Sequence, residues 1–157
     1  MVTDDGIRLA AEGDFAAIYD LVCDMEGTHL PLDAFERIFL HQLNDPDHRF
    51  LVAEEDGAVM GVLHLRMEEQ LHHAARVAEI MELAVAEGSR SKGVGARLFA
   101  RACEVAREEG CVQIEVACNQ LREHAHHFYE RQGMHNYHYK FSLPLTGEDS
   151  TENALGR

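Results

Sequence analysis

A mixed α/β fold in a single domain is what this sequence predicts, and three observations carry it. The chain has 157 residues, 46% of them hydrophobic, which is enough to close one core. Apolar residues recur at helical spacing in four stretches and in strand-like runs in six or seven others. The two kinds interleave as β-α-α-β-β-β-α-β-α-β-β, an order that predicts a central mixed sheet of six to seven strands flanked by four helices. The domain is expected over residues 1–145, with 146–157 a polar, flexible tail.

The elements follow in order. Ile7-Arg8-Leu9-Ala10 reads as a short strand. Gly13-Asp14 offers a cap for a helix with Phe15, Ile18 and Val22 on one face. Pro31 opens a second helix carrying Phe35, Ile38, Phe39 and Leu43, and Asn44-Asp45-Pro46 stops it. A strand over Phe50–Ala53 turns at Glu55-Asp56-Gly57, because Asp-Gly tolerates the positive φ of a tight hairpin. The return strand runs from about Val59 to Met67, and Val77–Val85 is apolar enough for the sheet centre. Val94, Leu98, Ala102 and Val105 form the stripe of an amphipathic helix that ends at Gly110. Val112, Ile114 and Val116 alternate as a strand. His124–Gln132 reads as the last helix, and Tyr137–Leu145 as one or two closing strands.

Composition narrows the function. The formal net charge of -14 disfavours duplex nucleic acid, whose phosphates need clustered Lys and Arg, and favours cationic ligands. No apolar run reaches the roughly 18 residues of a membrane span. The first residues have neither the basic start nor the apolar stretch of a signal peptide. Cys23, Cys103, Cys111 and Cys118 form no C-x-x-C pair and read as reduced thiols of a cytoplasmic protein. A homodimer is the expectation from base rates.

The sharpest local feature is Arg90-Ser91-Lys92-Gly93-Val94-Gly95-Ala96, between a strand and a helix. Two glycines let backbone approach a ligand, and a helix start offers unpaired N–H groups and partial positive charge. That combination binds phosphate. A P-loop needs Lys-Ser or Lys-Thr after the glycines, and a dinucleotide fingerprint needs a third glycine where Leu98 stands. An ordinary glycine-rich turn is the bland alternative.

These residues resemble a known family. Arg90-x-x-Gly93-x-Gly95, with Leu83-Ala84-Val85 seven residues earlier, looks like the coenzyme A pyrophosphate loop of GNAT acetyltransferases. Ala125-His126-His127-Phe128-Tyr129-Glu130-Arg131-Gln132-Gly133-Met134 is similar to the family's A-x-x-F-Y-E-x-x-G-F segment, with Met134 in place of an aromatic residue. Gln70-Leu71-His72-His73, then Ala78–Leu83, then Ala125-His126-x-Phe128-Tyr129, looks like the aminoalkylphosphonate N-acetyltransferase branch. The resemblance implies a GNAT fold and transfer of acetyl from acetyl-CoA to the primary amine of a small molecule. An aminoalkylphosphonate, a polyamine, an aminoglycoside and a protein amine all stay open as acceptors.

The resemblance also implies residue roles. Backbone of Leu83, Ala84 and Val85 would hold the pantetheine arm and polarise the thioester carbonyl. Arg90, Ser91, Lys92, Gly93, Val94, Gly95 and Ala96 would bind the pyrophosphate, and Asn119 would also meet the cofactor. Tyr129 would serve the departing thiolate, a phenol and a thiol being close enough in acidity for proton donation. Glu79 would take the amine's proton, directly after burial or through water, or would only bind the cation. Glu82, three residues on, is expected on the other side of the strand.

Eleven histidines raise the question of a divalent metal. His72 with Glu79 is the candidate pair, with His64 and Glu82 nearby, and mixed His and carboxylate ligands suit zinc, nickel or manganese. A metal would let an anionic phosphonate approach these carboxylates; Arg66 would do so without one. His124, His126 and His127 read as surface or packing residues. Two rivals from other classes are a non-catalytic acyl-CoA-binding module and a His-rich metal-binding protein, the latter with no account of the glycine loop.

Overall fold

The computed structural model describes residues 2–147. Most of the expected tail, 148–157, lies outside the described residues. Two compact units divide the chain, Met1–Val116 and Ala117–Arg157.

The first unit is a sheet with helices on both faces. Its strands are β1 (Ile7–Leu9), β2 (His48–Glu55), β3 (Ala58–Gln70), β4 (Ala75–Val85) and β5 (Ile114–Val116), in spatial order β1-β2-β3-β4-β5. The first four are antiparallel neighbours, and β5 runs parallel to β4. The Asp56-Gly57 turn joins β2 to β3, with φ of 50° and 80° at its two residues, as the sequence required.

Alternation sorts the strand residues to two faces. On one face Phe50, Val52, Val62 and Ala84 pack with Ile18, Leu21 and Val22 of α1 (Phe15–Glu26) and with Phe39 of α2 (Leu32–Leu43). On the other lies α3 (Val94–Glu108). Its approach is close at Gly61, where an added Cβ would sit 3.0 Å from side chains of both Val94 and Leu98. Any larger residue there would push the helix off the sheet.

The second unit contains α4 (Glu123–Arg131). The closing strands expected over Tyr137–Leu145 are not formed, so the sheet has five strands among the described residues rather than six or seven. Tyr137, Tyr139, Phe141, Leu143 and Leu145 all stay exposed. Alternation of apolar residues shows which face of a strand wants burial, but it does not supply the neighbour whose backbone completes the ladder.

Candidate active site

The glycine loop lies where strand gives way to helix, as expected. Gly93 caps α3 with φ of 78°, a left-handed conformation that costs a residue with a Cβ. The first helical hydrogen bond runs from Arg97 N–H to Gly93 C=O, so the N–H groups of Val94, Gly95 and Ala96 precede the ladder and face outward. Ser91, Lys92 and Gly93 are exposed. Arg90 is also exposed, its Nε donating to Val85 C=O at 3.2 Å and its Nη2 lying 3.4 Å from Asp24. An exposed cation, backbone donors ahead of the helical ladder and a helix dipole all point one way, which fits a diphosphate.

β4 changes character at Met81. His64 pairs with Glu82 but Leu65 pairs with Ile80, so Met81 is the extra residue of a β-bulge. This has two consequences. Before the bulge, Ala78 N–H donates toward β5, to Gln113 C=O. After it, Ala86 N–H donates the opposite way, to Met60 C=O of β3. By alternation the N–H groups of Leu83 and Val85 then point toward the β5 side, where pairing has already ended at Ile80 and Val116. The backbone donors named from the sequence therefore line an edge that β5 leaves open.

The second consequence corrects an expectation. Glu82 shares a face with Glu79 instead of opposing it. Arg66 and His64, two residues apart on β3, lie on one face; Glu79 pairs with the first and Glu82 with the second. The contacts agree: Arg66 Nη2 lies 2.9 Å from Glu79, and His64 Nδ1 lies 2.6 Å from Glu82. His64 Nε2 is 2.8 Å from His48 Nδ1. Strict alternation fails because the bulge inserts one residue between the two carboxylates.

His72, of the candidate metal pair, sits in the turn between β3 and β4, beside the His73 ring, and Glu79 lies four residues into β4 from Ala75. Among the described residues no group of three or more His, Cys, Asp and Glu side chains is arranged to hold a metal.

With this geometry in view, comparison with known proteins is decisive. The sequence profile of the Acetyltransferase (GNAT) family matches residues 15–134. This chain belongs to the GNAT acetyltransferase family. It is 35% identical over 139 residues to aminoalkylphosphonate N-acetyltransferase of Salmonella typhimurium, covering 88% of this chain and 90% of that one. Its fold matches a transcriptional regulator from Bacillus halodurans with a TM-score of 0.82 at 25% identity, over 88% of this chain and 98% of the other. Glucosamine-6-phosphate N-acetyltransferase from Arabidopsis thaliana shares the fold at a TM-score of 0.76 and 21% identity, over 89% of this chain and 97% of that one. The chain is thus a GNAT N-acetyltransferase, and acetyl-CoA is the family's acetyl donor.

The second unit of this GNAT chain holds Tyr129 and Asn119. Burial, helped by Cys118 and opposed by Arg122, pushes the Tyr129 phenol up to about 12. Asn119 shapes its turn: its side-chain oxygen accepts from Leu121 N–H at 2.9 Å, and its carbonyl from Arg122 N–H at 3.0 Å. His126 also meets that carbonyl, at 2.7 Å. His124 and His127 are exposed, as expected.

Sequence reasoning missed His48. It lies at the start of β2, and only the β2–β3 register brings it to His64. The one available signal was polarity inside an otherwise apolar strand at His64, which is 4% exposed and stacked on Phe50 with centroids 4.0 Å apart. A buried polar group needs partners.

Proposed function

We propose that this enzyme transfers the acetyl group of acetyl-CoA to the primary amine of a small zwitterion of the aminoalkylphosphonate class. The observation that carries the reading is the face of β3 and β4 on which one guanidinium and two carboxylates stand together. An amine needs the carboxylates; an anionic phosphonate needs the guanidinium. Both ion pairs of Arg66, to Glu79 and Glu68, run through Nη2, and its Nε is buried without a partner. An arriving oxyanion would satisfy it. The likeness to the Salmonella enzyme supports the same substrate class.

In this reading the N–H groups of Val94, Gly95 and Ala96, with Arg90 and Lys92, hold the pyrophosphate. The N–H groups of Leu83 and Val85 hold the pantetheine arm and polarise the carbonyl. Glu79 assists deprotonation of the amine, and Tyr129 protonates the departing thiolate. The four cysteines are free thiols, which supports a reducing, cytoplasmic setting.

Thiol-release kinetics across an amine panel test the proposal. Aminomethyl- and aminoethylphosphonate should be turned over with a kcat/KM above that of polyamines and aminoglycosides. Turnover of a purely cationic amine with none of any aminophosphonate would overturn the substrate class.

A further inference from the structure

Charge accounting separates the two carboxylates on the sheet face. Arg66 keeps its charge at any working pH; it lies 2.9 Å from Glu79 and 3.3 Å from Glu68, so Glu79 already has a permanent cation beside it. Glu82 has a different partner. A carboxylate only accepts, so His64 Nδ1 carries a proton and donates it to Glu82. His64 Nε2 lies 2.8 Å from His48 Nδ1, the shared proton resting on one of the two nitrogens. Among the described residues the ion-pair partner of Glu82 is this histidine, with no arginine or lysine beside it.

The same chain of contacts fixes where the Glu82 charge sits. His64 is buried, lies flat on Phe50 and uses both ring nitrogens, so it cannot turn without breaking a contact. The Glu82 oxygen it holds is therefore fixed as well, while the side chain remains 36% exposed. His48 at the other end lines an open surface pocket with Leu43, Asn44, Asp45, Pro46 and Arg49.

We infer that Glu82 is the residue that binds the substrate ammonium, and that His64 and His48 are positioning residues that aim it and keep its charge available. The inference rests on the acetyltransferase reading above and refines it: Glu79, paired with Arg66, orders that guanidinium for the anionic end and takes the amine's proton, while Glu82 holds the cationic end before transfer. Proton uptake at His48 adds a positive charge to the chain behind Glu82 and weakens its hold on an ammonium. Asp45 and Asp47 from the loop before β2, and His64 and Arg66 from β3, surround His48, with Glu82 beyond His64. Burial, aided by His64 and Arg66 and opposed by Asp45 and Asp47, sets the ring below the ordinary histidine range. Amine binding should accordingly fail on the acid side of that range.

The test is steady-state thiol release by the full chain with its best amine, between pH 5 and 8. Glu82→Gln removes the charge and keeps the shape, and should raise the amine KM roughly 10- to 100-fold, the range for losing a charged hydrogen bond. The KM for acetyl-CoA should hold. His48→Leu should raise the amine KM and abolish its acid-side rise, whereas His48→Asn, which keeps a hydrogen-bonding group near the Nδ1 position, should restore low KM at neutral pH. A merely structural chain would lower thermal stability in these variants and leave the amine KM and its pH profile alone. That outcome overturns the assignment, as does an unchanged amine KM in folded Glu82→Gln beside a raised one in Glu79→Gln. Wild-type turnover in the same assay shows that such a failure belongs to this assignment and not to the acetyltransferase reading; if the wild type releases no thiol with any amine, both fall together.

Discussion

The Arg90–Ala96 loop and the polar face of β2, β3 and β4 do their work in opposite ways. The loop is contiguous and, in the proposed reading, acts mainly through main-chain N–H groups, so its chemistry would need glycine, a helix start and little else. The polar face draws one to two side chains from each of three strands, and its members are related only by register. A single-residue slip in the loop costs one contact. The same slip on the face would send every side chain of a strand to the other side. Contiguous motifs are thus robust and readable, while assembled clusters are specific and hidden.

Substitutions can break or sharpen that contrast. The largest effect is expected at Tyr129, which belongs to the other contiguous motif. Tyr129→Phe should lower kcat by roughly 10²- to 10⁴-fold, as loss of a general acid does, with acetyl-CoA affinity nearly intact. Wild-type kcat, measured where chemistry limits the rate, would remove the role.

Gly93→Asp comes next. It forces a side chain into the left-handed region and adds a negative charge where the proposed reading puts the pyrophosphate. Together these should weaken acetyl-CoA binding by roughly 100-fold in calorimetry. Unchanged affinity in a folded variant would show that the loop is only a turn.

Chelation should change little. With Arg66 meeting the anion, exhaustive removal of divalent metal should leave kcat/KM on an aminophosphonate within about twofold, since no step then depends on a Lewis acid. Loss of turnover on chelation, restored by a metal, would return an ion to the polar face.

The smallest effect lies outside both regions and acts as a control. Arg8 reaches Asp14 at 2.8 Å and Glu54 at 3.0 Å. The Arg8 hydrogen bond holds the Asp14 carboxyl below the usual range, against burial. A carboxyl so lowered stabilises the fold above its unfolded pKa, and that contribution fades as pH falls through the folded value. Asp14→Asn should cost about 1 kcal/mol in denaturant unfolding at neutral pH and less in strong acid, with kinetic constants unchanged. A shift in the amine KM would tie this network to the site.

Local chemistry let the sequence alone determine much of this enzyme. Helical stripes placed α1, α2 and α3, the Asp56-Gly57 pair placed a hairpin, and Gly93 before Val94 placed a helix start, because each signal is held by residues adjacent in the chain. Leu83 and Val85 could be named as backbone donors, since main-chain roles need no particular side chain. The tertiary structure decided the rest. The bulge at Met81 put Glu82 beside Glu79, where simple alternation had separated them. The β2–β3 register brought His48 to His64. Tyr137–Leu145 alternates like a strand yet joins no ladder. In each case the deciding interaction lies between residues far apart in sequence, and periodicity along one strand carries no record of which neighbour, or which register, will complete it.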